Sequence, residues 1–283
     1  MKFGFVLEGG AMRAIYTAGV LDVLYEAGIR PDGLIGTSAG AIHGCSFRSG
    51  QPGRSIRYYK KYCKDRRFMS FWSLLTTGSI VGEKFCYYDL PERLDPFDNE
   101  AFKAATDMEY YITCTELESG KAVYKKTDDL NADIRWMLAG ASMPYVSKKV
   151  KLEGKTYLDG GVADSIPIEA FRQMGFERNL VVLTQPAGYQ KKPQNPKMAK
   201  LFYRKYPSFV QALIERHNNY NATLKRLEEL EQAGEVLILR PSKDLGIKRI
   251  EKDPARIELQ YQLGRSDAEA MLDRLKAWLA KES

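Results

Sequence analysis

Gly36-Thr37-Ser38-Ala39-Gly40 holds a serine between two glycines at the spacing of a nucleophile elbow. Ahead of it, Asp32-Gly33-Leu34-Ile35 reads as a short buried strand, and behind it Ala41-Ile42-His43-Gly44-Cys45 reads as the start of a helix built from small residues. A serine hydroxyl is a poor nucleophile, and enzymes that use one place it on a sharp strand-to-helix turn where its oxygen is exposed. The turn needs strained backbone and close approach of its neighbours, which Gly36 and Gly40 allow. The competing reading is a glycine-rich loop with an incidental serine.

The first residues set this stretch in context. Phe3-Gly4-Phe5-Val6-Leu7 suits a buried strand, and Glu8-Gly9-Gly10-Ala11-Met12-Arg13 follows at once. Over residues 11–27, Ile15, Ala18, Val20, Leu21 and Leu24 recur at helical spacing, and Gly28 sits where a C-terminal cap belongs. Strand, glycine turn, helix, strand, serine turn and helix make a βαβ unit, whose crossover sets two strands parallel. Both turns then open onto the crevice at the strand ends, where open α/β sheets bind ligands. Amides of the first turn can face a developing oxyanion, aided by the helix that begins there. That turn has neither G-x-G-x-x-G nor G-K-S/T spacing, which disfavours a dinucleotide or phosphate site.

A serine needs a base. His43 lies on the elbow helix with its side chain directed away from the hydroxyl, and His217 sits in the polar stretch Ile214-Glu215-Arg216-His217-Asn218-Asn219; both read more readily as packed or surface histidines. Asp159, in Tyr157-Leu158-Asp159-Gly160-Gly161, is the stronger candidate, an acid at a strand end followed by two glycines that leave room for another backbone. An aspartate with an ordinary pKa of about 3.9 is a weak base, but it can accept a proton directly if hydrogen-bonded and desolvated. The competing reading of Asp-Gly-Gly is a plain turn.

Glu8-Gly9-Gly10-Ala11-Met12-Arg13, Gly36-Thr37-Ser38-Ala39-Gly40 and Asp159-Gly160-Gly161, taken together, resemble the patatin-like phospholipases, in particular their bacterial branch. Ala141-Ser142-Met143-Pro144 and Pro167 extend the likeness over residues 3–185, and it continues more weakly near Pro241, Tyr261, Gly264 and Ala268. The resemblance implies a three-layer α/β/α fold with a mainly parallel central sheet, and a calcium-independent serine acyl hydrolase acting on phospholipid, lysophospholipid or neutral lipid esters. It implies Ser38 as nucleophile and Asp159 as base, with the amides of Gly9, Gly10 and Ala11 as oxyanion hole, Arg13 supporting that loop, and Gly36 and Gly40 shaping the elbow. No metal and no cofactor is implied. Two positions depart from the family pattern: Ala11 and Ala14 stand where a third glycine and the glycine of an Arg-Gly pair are usual. If Ala11 must take a positive φ, the loop is strained.

With 283 residues, 44% of them hydrophobic, the chain can bury a full core. Residues 1–189 read as the catalytic core. Residues 190–283 read as a mainly helical part packed on it, contributing a late strand near 235–240 and shaping the acyl pocket. Asn179-Leu180-Val181-Val182-Leu183-Thr184 and Glu235-Val236-Leu237-Ile238-Leu239 are continuous apolar runs of the parallel-strand type, and residues 131–138 read as a helix with an Asn cap. No leader and no membrane span is visible, and Cys45, Cys63, Cys86 and Cys114 are spaced for neither zinc nor a disulfide framework, so a cytoplasmic protein is expected. The net charge of +7 concentrates in part in Arg54-Ser55-Ile56-Arg57-Tyr58-Tyr59-Lys60-Lys61-Tyr62-Cys63-Lys64-Asp65-Arg66-Arg67. One reading is peripheral contact with an anionic membrane surface, tyrosines at the interface; another is a solvated helix with tyrosines packed inward. Nucleic acid is not expected as a partner, and the oligomeric state is not readable.

Two other functions compete: acyl transfer or thioester hydrolysis at the same site, and non-catalytic binding of a lipid or partner on this fold. A fluorophosphonate should label Ser38, Asp159→Asn should abolish esterase activity, and His217→Ala should do less harm. Well-folded protein that takes no label contradicts the enzyme reading, and the opposite ranking of the two variants marks a His-dependent triad.

Overall fold

Phe3–Leu7 forms β1 and Gly33–Thr37 forms β2, paired in parallel from Gly4 opposite Gly33 to Leu7 opposite Gly36. The structure is a computed structural model and describes residues 1–281. Between these strands a single 3-10 turn, Ala11–Ala14, leads into α1 (Ile15–Glu26), and Gly28 at φ +70° closes the helix as its spacing predicts. After β2 come α2 (Ala39–Arg48), α3 (Arg54–Tyr62), α4 (Phe71–Thr77), a π-helical segment Phe85–Leu94 that contains Pro91, and α5 (Asn99–Ala104). The hairpin β3 (Glu109–Glu116) and β4 (Ala122–Lys126) is followed by α6 (Ile134–Gly140), β5 (Val150–Leu152) and β6 (Lys155–Asp159). The chain continues through α7 (Ile168–Gln173), β7 (Arg178–Val182), α8 (Pro196–Phe202), α9 (Pro207–Gln232), β8 (Val236–Leu239) and α10 (Pro254–Ala280).

The described residues build one eight-stranded sheet in the order β5-β6-β3-β2-β1-β7-β8, with β4 also paired to β3. The run β3-β2-β1-β7-β8 is parallel, while the pairings of β4 and β6 with β3 and of β5 with β6 are antiparallel. Side chains alternate along each strand. Phe5, Leu7, Leu34, Leu180 and Val182 therefore face one cluster with α1, α2, α6 and α10, whereas Val6, Ile35 and Val181 face another with α7 and α9. These are the two covered faces of a three-layer α/β/α fold.

The helix after β4 starts at Ile134 rather than at 131. Residues 131–133 form a turn, and the Asn131 N–H donates to Asn99 Oδ1 instead of Asn131 capping the helix, a position taken by Asp133.

α10 lies directly on α1. A Cβ added at Gly19 would collide with the Tyr261 carbonyl, and one at Gly264 with the Tyr16 carbonyl, so each helix offers a glycine to the other's backbone. Tyr261 Oη donates to Asp22 Oδ2 at 2.6 Å and Arg265 forks onto Glu26, fixing the crossing at its edges. Gly264→Val should lower stability by about 1–3 kcal/mol through overpacking, read as a shift in the urea midpoint. An unchanged midpoint would contradict this account of the α1–α10 contact.

Candidate active site

Ser38 sits between β2 and α2 at φ +54° and ψ −124°. This left-handed conformation is costly for any residue with a Cβ and persists only where the surroundings enforce it. Gly36 and Gly40 are part of that enforcement: a Cβ at Gly40 would press on the carbonyl oxygens of Leu7 and Glu8, and one at Gly36 on the backbone of Ala41. The helix therefore turns away from the sheet directly after the serine.

Strand register brings the second group in. β4 pairs one edge of β3, and β2 and β6 share the other edge end to end, with Thr37 opposite Thr113 and Asp159 opposite the next residue, Cys114. The C-terminal ends of β2 and β6 therefore meet beside adjacent residues of β3, which brings Ser38 and Asp159 next to each other. There Ser38 Oγ donates to Asp159 Oδ2 at 2.6 Å. Asp159 Oδ1 accepts from the Gly161 N–H at 2.8 Å, its own N–H donates to the Ser142 carbonyl, and its carbonyl accepts from Thr115 Oγ1. Burial raises the Asp159 carboxyl above the ordinary aspartate range, opposed by the Ser38 hydrogen bond and the positive charge of Arg216.

The histidines stand elsewhere. His43 is buried, with Nδ1 against Ser55 Oγ at 2.9 Å, and burial lowers its pKa to about 3. His217 is half-buried with Nδ1 against the Ile214 carbonyl.

The loop of Gly9, Gly10 and Ala11 lies over the serine. A Cβ on Gly9 would come within 2.9 Å of the Ser38 Cβ, and one on Gly10 within 2.8 Å of Thr184 Oγ1. Among the described residues, the N–H groups of Gly9, Gly10 and Ala11 donate no hydrogen bond, while the flanking Glu8 and Met12 amides bond to the carbonyls of Val182 and Arg249. Ala11 adopts φ +50°, the strained conformation that its departure from glycine makes costly. Arg13, just behind, donates from Nε to the Ile247 carbonyl at 3.1 Å and so joins this loop to the C-terminal part.

Two clefts meet at Ser38, sharing Ala11, Ser38 and Met143 in their walls. The first, of about 950 Å³ with its mouth, is apolar and lined by Ile42, Tyr58, Tyr59, Phe68, Leu90 and Met137 among others. The π-helical segment supplies Cys86, Tyr87, Leu90 and Pro91 to it. All of its wall lies between residues 11 and 143, so the C-terminal part does not line this cleft, contrary to the sequence expectation. That part instead contributes Lys191, Gln194, Leu213, Arg216 and Arg249 to the second, polar cleft of about 1020 Å³, which also holds Glu8 and Asp159.

The basic stretch from Arg54 to Arg67 also differs from one of its readings. Tyr58, Tyr59 and Tyr62 are buried and face the core. Arg54 and Arg57 both pair with Asp95, Lys60 with Glu258 and Arg67 with Asp65, so much of the charge is answered within the protein. Exposed aromatic groups lie on α4 instead, at Phe71 and Trp72.

Sequence reasoning passed over Glu8 and Arg216. Glu8 is buried at the end of β1 and accepts from the Thr184 N–H and Oγ1 and from Tyr220 Oη, tying the loop to β7 and α9. An acid directly abutting a buried strand is the signal that marks it. Arg216 adjoins His217 on α9, but its guanidinium turns into the polar cleft.

The chain is similar to several known proteins. A family model described as patatin-like phospholipase matches residues 5–172, and a second, described as a domain of unknown function (DUF6363), matches residues 206–280. The uncharacterized protein YjjU of Escherichia coli is 30% identical over 207 residues, 68% of this chain and 55% of that protein. Lysophospholipase nte1 of Aspergillus oryzae is 26% identical over 184 residues, 61% of this chain and 11% of that much longer protein. The chain thus spans about half the length of the first relative and a small part of the second. The crystal structure of VipD from Legionella pneumophila aligns with a TM-score of 0.49 at 10% identity, over 96% of this chain and 67% of that one. Among the described residues no helix is long and apolar enough to cross a membrane.

The strain at position 11 is measurable. Ala11→Gly should raise stability by up to about 1 kcal/mol, the left-handed cost of alanine less the extra freedom of glycine when unfolded. Ala11→Val should lower it, because a β-branched residue tolerates positive φ worst. Urea midpoints in the order Gly, Ala, Val from highest to lowest are expected, and a drop on Ala11→Gly would contradict the strain.

Proposed function

The chain belongs to the patatin-like phospholipase family, and on that premise we propose that it is a calcium-independent serine acyl hydrolase acting on phospholipid or lysophospholipid esters through a Ser38–Asp159 dyad. The observation that carries this reading is the buried 2.6 Å hydrogen bond from Ser38 Oγ to Asp159 Oδ2 beside three amides that donate to no acceptor among the described residues. Ser38 Oγ attacks the ester carbonyl carbon while its proton passes to Asp159 Oδ2. The carbonyl oxygen becomes an oxyanion and accepts hydrogen bonds from the N–H groups of Gly9, Gly10 and Ala11; such donors are each worth about a hundred- to a thousandfold in rate. The carbon–oxygen bond to the alcohol then breaks, and the alcohol leaves with the proton held by Asp159. Water repeats the sequence on the acyl-serine and releases the fatty acid.

The raised Asp159 pKa serves this step, since a base with a pKa nearer the working pH takes a proton more readily. The apolar cleft accommodates the acyl chain, and Arg13 supports the oxyanion loop from the Ile247 carbonyl. The non-catalytic reading is motivated by Ala11 and Ala14; against it, Ala14 takes φ −69°, which alanine adopts freely, and Ala11 keeps φ +50° despite its cost.

The pH profile tests the base. Turnover requires ionised Asp159, so kcat/KM on a neutral short-chain ester should fall as pH drops through its raised pKa. Arg216 is a cause that lowers that pKa, so Arg216→Gln should move the acid limb to higher pH. A limb that stays in place or moves down would contradict the assignment of Asp159 as base.

A further inference from the structure

We propose that Lys191, Arg216 and Arg249 form a binding site for the anionic phosphoryl headgroup of the lipid ester, so that the protein selects lipids with a net negative headgroup over neutral or zwitterionic ones. The inference rests on the hydrolase reading above and names the substrate class for that same site.

The two clefts are chemically opposed and share Ser38. An ester at the serine with its acyl chain in the apolar cleft must direct its alcohol portion toward the polar one. There the charged groups in the wall are Arg13, Lys191, Arg216 and Arg249 against Glu8 and Asp159. Both acids are already engaged: Glu8 by Thr184 and Tyr220, Asp159 by Ser38 and Gly161. Arg13 is partly used by the Ile247 carbonyl. Four cations thus face two carboxylates, an excess of positive charge that Lys191, Arg216 and Arg249 bring to the wall beyond Arg13.

Arg216 is the centre of the group. Its half-buried side chain lies beside the dyad, with Nη2 3.1 Å from the place a Cβ on Gly161 would occupy, and its buried Nε has no hydrogen-bond partner among the described residues. A guanidinium presents five donors in a planar fork suited to phosphate oxygens. Lys191 is held from both sides of its backbone by the Asn221 side chain, which places its ammonium 4.0 Å from the Tyr220 ring centroid. Burial and the nearby charge of Arg216 lower the Lys191 pKa to about 8. An anion lying between the two would offset the part of this shift that comes from Arg216. Arg249 is exposed at the mouth, and its carbonyl accepts from the Met12 N–H, anchoring it to the oxyanion loop. A trimethylammonium headgroup would meet these cations unfavourably, whereas a phosphate monoester or an anionic diester would satisfy them.

Lysophosphatidic acid and monoacylglycerol of equal chain length differ only by the phosphate, so their kcat/KM ratio reports this site. The wild-type protein should favour lysophosphatidic acid over both monoacylglycerol and lysophosphatidylcholine by about tenfold or more, the scale of one charge-assisted contact. Lys191→Gln and Arg216→Gln should each cut the ratio about tenfold, while Lys276→Gln on α10, an equal change of net charge, should leave it unaltered. A wild-type ratio near one, or variants that preserve it, overturns the proposal. Calorimetry on Ser38→Ala protein separates this from a failure of the hydrolase reading. Short-chain lysophosphatidic acid should bind more tightly than inorganic phosphate and lose affinity on Arg216→Gln even if no ester is turned over. Inorganic phosphate binding as tightly assigns a free-phosphate site and overturns the lipid source; no binding of either overturns the site itself.

Discussion

The hydrogen bond between Ser38 Oγ and Asp159 Oδ2 joins residues 121 positions apart, and most of the architecture around it is what that contact requires. β2 and β6 must meet end to end along one edge of β3 in one register, since a slip by one residue would turn the Asp159 side chain to the other face of the sheet. The elbow must hold Ser38 at positive φ, which in turn requires small residues at 36 and 40. The loop of Gly9, Gly10 and Ala11 must pass close over the serine, which leaves no room for a side chain at Gly9. The local strain at Ser38 and Ala11 is offset by a sheet whose central strands are buried on both faces.

The two halves of the chain contribute different chemistry at this centre. Residues before 145 enclose the apolar cleft, with the π-helical segment and the tyrosines of α3 forming much of its wall. Residues after 185 bring cations to the polar cleft and secure the loop that faces the serine, through Tyr220 on Glu8 and the carbonyls of Ile247 and Arg249 on Arg13 and Met12. The segment matched by the second family model therefore touches the candidate site directly, and its packing on α1 through Gly19 and Gly264 holds it there.

Much of the framework was legible in the sequence because its signals are local. A serine between glycines at a strand end and a helix closed by Gly28 each follow from backbone sterics that few residues satisfy. Asp159 was legible chiefly through its family resemblance, since Asp-Gly-Gly alone also describes a turn. What was not legible depends on which face of an element meets what. Tyr58, Tyr59 and Tyr62 recur at helical spacing whether they face a membrane or a core, and only the fold turns them inward. Arg216 and His217 are neighbours in sequence, yet the phase of α9 gives the cleft to the arginine. The π-helical segment across Pro91 has no simple period to betray it.

The central claim is that Ser38 carries the acyl group between two half-reactions. An activated long-chain ester, mixed with the protein and quenched within the first turnover, should leave an adduct of one acyl group, because release of a good leaving group outpaces deacylation. Intact-protein and peptide mass spectrometry should place that acyl group on Ser38 and find none on the Ser38→Ala protein. Turnover with the acyl group on any other residue would contradict the account.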